Sequence, residues 1–153
     1  MRIGTTRFGT IEIAEESIVH MPDGMLGFES VKRFVLLEDR PDTAFKWLQA
    51  VDDPALAFIV VNPMEFFPDY EIELSDKQAE TLDLEDPSEA VMLTTVTIGS
   101  DGRVTTNLLG PIVMNSRTLQ ARQIVLQDDR YGSKHVICEL PRVDSQPRQA
   151  EAA

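Results

Sequence analysis

The chain has 153 residues, a hydrophobic content of 42% and a formal net charge of −12, which together favour a single soluble globular domain. Its only cysteine, Cys138, excludes an internal disulfide. The N-terminus lacks the apolar core of a signal peptide, and no apolar run approaches the roughly 18 residues that span a membrane, so we expect a cytoplasmic protein. The acidic balance argues against direct binding of nucleic acid or anionic lipid.

The negative charge is concentrated in the middle of the chain. Residues 63–102 carry eleven acidic residues and a single base, Lys77, which gives a net charge of −10. The preceding residues 1–62 have a net charge of −4, and residues 103–153 have a net charge of +2. Such a region would attract a basic partner, although a solvated acidic surface that only keeps the protein soluble is equally compatible with the charge alone.

The first third of the chain predicts short strands separated by turns. Residues 2–14 favour a hairpin that turns at Gly9. Ile18–Met21 predicts a strand that ends at the turn signal Pro22-Asp23-Gly24. Phe34–Leu37 predicts a further, buried strand.

The stretch Phe45–Pro63 predicts the central pair of strands. Its first half alternates, with Phe45, Trp47, Gln49 and Val51 on one face. Asp52-Asp53-Pro54 predicts a turn, and the apolar run that follows, Ala55–Val61, predicts a strand buried on both faces. We expect this antiparallel pair to bury Trp47 and Phe58.

The acidic middle begins with two adjacent phenylalanines, Phe66 and Phe67, which cannot both face one side of a strand. Tyr70–Leu74 then alternates between apolar and acidic residues and predicts a strand. Ser75 and Gln78 have the spacing of a capping box, which predicts a short helix over about residues 75–82.

The last third predicts further strands and no second substantial helix. Ala90–Ile98 predicts a long strand that turns at residues 99–102 and returns over residues 103–108. Shorter strands are predicted at 112–114 and 123–126. The fold class is therefore mostly β, a single-domain antiparallel barrel-like or sandwich fold over residues 1–140, and the polar residues 141–153 predict a disordered tail.

The chain shows no set of residues that is typical of an enzyme or a metal site. Asp52 and Asp53 form a carboxylate pair, but a turn explains them better, because adjacent turn residues diverge. His20, His135 and Cys138 lack the spacing of metal ligands or of a nucleophile with its base. We therefore predict no catalytic residue, no metal and no cofactor, although a small hydrolase that uses Asp52 or Asp53 remains an alternative. A mild basic cluster, with few aromatic residues between its members, comprises Arg117, Arg122, Arg130 and Lys134. A second alternative is a β-barrel that binds oligonucleotide or sugar, which would need a basic or aromatic exposed groove, and the acidic charge argues against its nucleic-acid form.

An ordered set of short motifs resembles the FliW family of bacterial flagellar assembly factors. No single motif is specific, and the resemblance depends on their order over about residues 3–137. The stretches that carry it are Thr6–Gly9 with Ile11, Met21–Gly24, Leu26–Glu29, Phe34–Leu37, Trp47–Gln49, Asp53–Phe58, Asn62–Pro63, Phe67–Tyr70, Thr106–Leu108, Gly110–Asn115 and Gln123–Leu126.

The resemblance implies a regulatory function rather than an enzymatic one. Proteins of this family bind CsrA, a small basic RNA-binding dimer that represses translation of flagellin mRNA, and they antagonise it non-competitively with RNA. They also bind flagellin, so that export of flagellin frees the factor to bind CsrA. A flagellin-binding, chaperone-like factor without a role towards CsrA is the alternative within this class.

The acidic middle supplies the candidate residues for partner binding. We expect aromatic anchors and flanking carboxylates to form part of the interface. The candidates are Phe66, Phe67, Asp69, Tyr70, Glu71 and Glu73, together with Asp52 and Asp53. The alternative is that Phe67 and Tyr70 belong to the core and that Glu71 and Glu73 form a solvated strand face.

Overall fold

The computed structural model of the chain describes residues 1–38, 40 and 42–139. The tail predicted over residues 141–153 lies outside the described residues, so its predicted disorder stays a prediction. The described strands are β1 (Arg2–Thr5), β2 (Gly9–Glu12), β3 (Ile18–His20), β4 (Arg33–Leu37), β5 (Lys46–Ala50), β6 (Ala57–Val61), β7 (Ala90–Ile98), β8 (Arg103–Thr106), β9 (Ile112–Asn115), β10 (Ala121–Gln123) and β11 (His135–Glu139). The single α-helix among them, α1, is Asp76–Thr81, and short 3-10 turns lie at Glu15–Ser17, Pro63–Glu65 and Pro87–Glu89.

Nine of these strands form one antiparallel sheet that curls into a half-barrel. Seven strands follow the order β10-β9-β7-β6-β5-β4-β3, and β8 and β11 extend the sheet from β7. A bridge between His20 and Gln120 brings the two ends of this order together. The hairpin β1–β2 forms a separate two-stranded sheet. The predicted mostly-β, barrel-like fold with one short helix is therefore confirmed.

The predicted central hairpin, β5–β6, lies in the middle of the sheet between β4 and β7. Its register pairs Trp47 with Ile59 and Leu48 with Phe58. The predicted burial of Trp47 and Phe58 is wrong in degree, since both are only half-buried. Leu48 instead reaches the barrel interior, whereas Trp47 faces outwards and is covered by Arg7, whose guanidinium carbon lies 4.1 Å from the ring centroid.

Alternate residues of the strands are buried on opposite faces of the sheet, as the two-residue period of a strand requires. In β4, Phe34 joins the core inside the barrel, and Val35 packs beneath the hairpin β1–β2. In β9, Ile112 faces the interior, and Val113 faces a third, outer core with Leu82. This outer core fixes the position of the acidic middle of the chain.

Two predicted strands differ from the structure. Residues 70–74 form no strand, because no neighbouring segment pairs with them among the described residues. The strand predicted over 123–126 is instead β10, at Ala121–Gln123, where it pairs with β9. The strand β11 was not predicted; it pairs with β8 through an irregular register.

The return strand predicted over residues 103–108 is interrupted. Val96 of β7 pairs with Thr106 of β8, and Leu93 of β7 pairs with Ile112 of β9. An advance of three residues along β7 is therefore matched by six residues along the partner chain. The three extra residues bulge out of the ladder between β8 and β9. Leu108, in this bulge, supplies an anchoring point for the acidic middle of the chain.

Candidate partner-binding face

The connection between β6 and β7, residues 63–89, is named here the acidic segment. It contains ten of the 26 acidic residues of the chain and one base, Lys77. Six of the eight candidate residues predicted from the sequence lie in it. Its ends are fixed by 3-10 turns, the first of which begins after Asn62, whose side-chain oxygen accepts a hydrogen bond from Met64 N–H.

Tyr70 anchors the acidic segment to the sheet. Its side chain is only 4% exposed, and its hydroxyl donates to the carbonyl of Leu108 at 2.7 Å. The ring meets that of Tyr131 edge to face, with centroids 4.7 Å apart. Burial raises the pKa of the Tyr70 hydroxyl well above its usual range, so the group stays a neutral donor. Tyr70 therefore fixes the position of the acidic segment, and its buried side chain offers almost no exposed surface to a partner.

Phe66 and Phe67 flank this anchor, and both are half-buried. The ring of Phe66 lies 6.4 Å from that of Phe45, and the ring of Phe67 meets His135 edge to face at 5.8 Å. The two residues follow the 3-10 turn Pro63–Glu65 and lie in no strand, so the expectation that they cannot both face one side of a strand does not apply; each ring keeps part of its surface accessible. Asp69 is exposed beside them.

Residues 71–74 have the side-chain pattern of a strand without its hydrogen bonds. Glu71 and Glu73 are exposed, whereas Ile72 and Leu74 pack against the outer core. Glu71 N–H points to the hydroxyl of Tyr131 at 3.3 Å. Within the part of the chain that the structure describes, no hydrogen-bond partner is found for the N–H groups of residues 72–74.

The end of the acidic segment is held by two side chains from β9 and the loop after it. Asn115 is fully buried and donates to the carbonyls of Leu82 and Asp83 at 2.9 and 3.0 Å. Arg117 donates to Glu89 at 2.8 Å, and this hydrogen bond holds the pKa of Glu89 below its usual range. The predicted capping box of α1 is confirmed, because Ser75 and Gln78 exchange both expected hydrogen bonds.

Two depressions border residues 71–73. The first is an apolar groove of about 520 Å³ with an acidic rim. Its lining includes Met64, Ile72, Leu74, Met92 and, at the rim, Glu85 and Asp86. The second is an acidic cleft of about 740 Å³. Its lining is Glu71, Ile72, Glu73 and the segment 126–130. Glu71 and Ile72 line both depressions, so residues 71–73 form a ridge between an apolar and an acidic recess.

The far wall of the acidic cleft was not predicted from the sequence. It contributes Asp128 and Asp129, and Arg130 donates to Asp128 at 2.7 Å, which lowers the pKa of Asp128. The paired aspartates in the sequence QDDR are a signal that could have drawn attention to this wall. Nothing local in the sequence shows that it lies opposite Glu71 and Glu73.

Asp52 and Asp53 lie apart from the other candidate residues. They occupy the turn before β6, whereas the acidic segment begins after it, and a five-residue strand separates the two by about 15 Å. Arg33 binds both oxygens of Asp52, at 2.6 and 3.0 Å, and this hydrogen bonding holds the pKa of Asp52 below its usual range. Asp53 accepts a hydrogen bond from Ala55 N–H at 3.2 Å, as the predicted turn requires.

This arrangement does not favour the hydrolase alternative. A general acid would need a carboxyl group with a raised pKa, which is the opposite of the shift at Asp52. Among residues 1–38, 40 and 42–139, no three His, Cys, Asp or Glu side chains are grouped as metal ligands.

The basic cluster suggested by the sequence is dispersed in the structure. Arg117 binds Glu89, Arg122 binds Asp23, and Arg130 binds Asp128. Because a carboxylate offsets each of these charges, they form no basic groove for an oligonucleotide. In the described part of the chain, no helix combines the length and apolar character that a membrane crossing needs.

The curled sheet and the anchored acidic segment define the class of the protein: a mostly-β half-barrel whose distinctive surface is a recessed, acidic face. The family model described as FliW protein matches residues 2–137, and the chain belongs to this family. The resemblance recognised from the sequence motifs is therefore confirmed.

Named relatives agree along nearly the whole chain. The flagellar assembly factor FliW of Geobacter sulfurreducens is 48% identical over 136 residues, which cover 88% of this chain and 85% of the relative. That of Geotalea uraniireducens is 42% identical and covers 98% of this chain and 97% of the relative. A crystal structure of the flagellar assembly factor FliW superposes with a TM-score of 0.82 at 37% identity and covers 90% of this chain and 97% of that one.

Proposed function

We propose that this chain is a cytoplasmic flagellar assembly factor that binds the translational regulator CsrA through its acidic segment. Binding would antagonise CsrA non-competitively with RNA and so relieve repression of flagellin mRNA translation. Flagellin would be the second partner, and its export would free the chain to bind CsrA. Family membership supports the role in flagellar assembly, and the partner assignment extends the resemblance stated from the sequence.

The observation that carries the proposal is the geometry of the acidic segment. Its carboxylates Glu71 and Glu73 are exposed on a ridge that Tyr70 fixes from below. Phe66 and Phe67 offer apolar surface beside them. A basic protein would be steered to this face by its charge and held there by contacts with the aromatic rings.

The acidic groups on this ridge lack the partners that neutralise other charges of the protein. In the described residues, neither Glu71 nor Glu73 forms an ion pair, whereas Asp52, Glu89 and Asp128 each bind an arginine. An unpaired surface carboxylate can contribute its full charge to a partner. This distinction favours Glu71 and Glu73 over Asp52 as determinants of binding, and Asp53 lies with Asp52 in the turn before β6, apart from the acidic segment.

Isothermal titration of CsrA into the purified chain tests the proposal. We compare the wild type with the double variant Glu71→Lys plus Glu73→Lys at about 50 and 200 mM salt. The expected result is a loss of affinity of at least tenfold in the double variant at low salt, and a smaller difference at high salt, because salt screens the charges.

A matched control separates a local effect from a change in overall charge. The variant Glu15→Lys plus Glu16→Lys carries the same change in net charge at two exposed positions in the 3-10 turn before β3. We expect it to keep its affinity for CsrA within about threefold. Equal losses in both double variants would contradict the assignment of the acidic segment as the binding face.

A parallel titration with flagellin tests the second partner. Binding of flagellin without CsrA would favour a chaperone-like factor with no translational role. Binding of both, with flagellin displacing CsrA, is the result expected for a partner switch.

A further inference from the structure

The ridge and the far wall of the acidic cleft are two chain segments that run antiparallel without pairing. At one end, Glu71 N–H lies 3.3 Å from the Tyr131 hydroxyl. Towards the other end, Lys77 and Val125 line one shallow depression. Two antiparallel segments at the spacing of a sheet would exchange backbone hydrogen bonds. Here the described residues show none between them, and the cleft of about 740 Å³ occupies the space instead.

The ridge has a free backbone edge that faces this cleft. In an extended chain, every second N–H points to the same side. Because Glu71 N–H points to Tyr131, next to the far wall, Glu73 N–H points to the same side, and no partner for it is found in the described residues.

The far wall has a matching pattern. Ile124 and Leu126 donate their N–H groups to the carbonyls of Pro111 and Leu109, at 2.9 and 2.8 Å. Because N–H groups alternate along an extended chain, we expect the N–H of Gln127, the residue after Leu126, to be directed the other way. No partner for it is found within the described residues. An unpaired edge of this kind is the structural requirement for strand addition by an extended peptide.

The side chains of the cleft define what such a peptide would carry. Ile72 and Leu126 are half-buried and belong to the outer core, so they give the cleft an apolar floor. Its mouth carries four carboxylates and one guanidinium, that of Arg130, which Asp128 already binds. A strand with apolar side chains on one face and lysine or arginine on the other complements both features.

We infer that the acidic cleft is a slot for an extended basic peptide segment, which adds as a strand to the free edge at Glu71–Leu74. The inference rests on the proposed function for the location of the partner on this face, and it adds the mode of binding. Backbone hydrogen bonds would supply part of the affinity, and the alternation of basic and apolar side chains would supply specificity.

Two substitutions at one position separate backbone pairing from charge. Glu73→Gln and Glu73→Pro both remove the carboxylate, but only the proline also removes the N–H that faces the cleft. In titrations with CsrA, we expect Glu73→Pro to weaken binding about tenfold more than Glu73→Gln, the effect of one or two lost hydrogen bonds. Circular dichroism melting curves check that both variants are folded.

The outcomes distinguish this inference from the proposed function. Equal losses in the two variants would overturn strand addition and keep the acidic face as a charged binding site. Unchanged binding in both, together with unchanged binding in the Lys double variant, would overturn the proposed function as well.

A peptide probe keeps the inference testable with the wild-type chain. A labelled peptide that alternates lysine and valine over eight residues is titrated by fluorescence anisotropy. The control peptides are a block isomer, four lysines followed by four valines, and the alternating peptide with N-methylated valines. We expect binding of the first to be at least tenfold tighter than that of either control. Equal binding of all three, or no binding of the alternating peptide, would overturn the inference.

Discussion

The first strand of the hairpin β5–β6 and residues 71–74 both have alternating sequences but different structural roles. In the hairpin, Leu48 pairs with Phe58, and neighbouring strands flank both partners. In residues 71–74, Ile72 and Leu74 are directed inwards in the same manner, but no ladder forms among the described residues. An alternating sequence therefore predicts which side chains are buried, whereas backbone pairing depends on whether the fold places another strand beside the segment.

The difference also separates stability from function. The hairpin satisfies its backbone groups within the sheet and contributes residues to the interior core. Residues 72–74 leave their N–H groups without a partner among the described residues, and the ridge is held by the hydrogen bond of Tyr70 and by the packing of Ile72 and Leu74 on the outer core. Binding surfaces are often built from such locally less constrained elements on a rigid scaffold.

The largest loss of stability is expected on substitution of Gln49, the buried side chain that holds the turn of the hairpin. Gln49 is fully buried, and its amide nitrogen lies 3.1–3.4 Å from four backbone carbonyls of the turn. Gln49→Glu would place a carboxylate against these carbonyls, so we expect it to lower the free energy of unfolding by about 3 kcal/mol or more. Urea titration measures the change. The same substitution at Gln78, in the acidic segment, should stay within about 0.5 kcal/mol.

The next largest loss of stability is expected where Asn115 attaches the acidic segment to β9. Asn115→Ala removes the donors to the Leu82 and Asp83 carbonyls and the acceptor for the N–H groups of Arg117 and Thr118. We expect a loss of about 2–3 kcal/mol, because these backbone groups are buried or partly buried. Thermal melting measures the loss, and Asn62→Ala, which removes one cap hydrogen bond, should cost about 1 kcal/mol. Similar small changes in both would show that Asn115 does not hold the segment.

A smaller effect is expected at the other attachment point. Tyr70→Phe keeps the ring but removes the hydrogen bond to the Leu108 carbonyl, so we expect a loss of about 1–2 kcal/mol. Tyr131→Phe, which removes a longer hydrogen bond to an exposed N–H, should cost less than about 0.5 kcal/mol.

Tyr70→Phe and Tyr131→Phe are also expected to differ in how much stability they lose at alkaline pH. Burial raises the pKa of Tyr70, so the unfolded chain releases this proton at about pH 10 while the folded chain retains it. The stabilisation is present below pH 10 and is lost as the pH rises further. Urea midpoints at pH 8 and 11 should therefore fall more in the wild type and in Tyr131→Phe than in Tyr70→Phe. Parallel losses in all three would contradict the raised pKa.

The smallest effect is expected at the hairpin turn. Hydrogen bonding to Arg33 lowers the pKa of Asp52, so the pair contributes stability at neutral pH that is lost as the pH falls through the lowered pKa. Both side chains are more than one-third exposed, so we expect the contribution to be below about 1 kcal/mol. Between pH 7 and pH 3, Asp52→Asn should lose less stability than the wild type, as measured by urea midpoints. Parallel slopes would contradict this account.

Local signals in the sequence predicted the elements that depend on local chemistry. The capping box of Ser75 and Gln78 located α1, and the threonine-rich alternation of Ala90–Ile98 located β7. The turn residues Asp52 and Asp53 behave as their chemistry requires. These features follow from interactions within a few residues, which a sequence pattern records directly.

Features that depend on distant parts of the chain were missed or wrongly interpreted. The three-residue interruption between β8 and β9 and the pairing of β11 have no local signal. The acidic cleft combines Glu71 and Glu73 with Asp128 and Asp129, more than 50 residues away. These two pairs of acidic residues come together only when the sheet curls. Reasoning from the sequence therefore identified Glu71 and Glu73 but could not place Asp128 and Asp129 opposite them.

The most direct test of the acidic face is amide hydrogen exchange resolved by residue, measured by NMR on the free chain and on its complex with CsrA. We expect the N–H groups of Glu73 and Gln127 to exchange rapidly in the free chain and to be protected at least tenfold in the complex, while exchange in the β5–β6 hairpin is unchanged. A complex that forms with these two amides still exchanging as in the free chain would contradict strand addition at the acidic cleft.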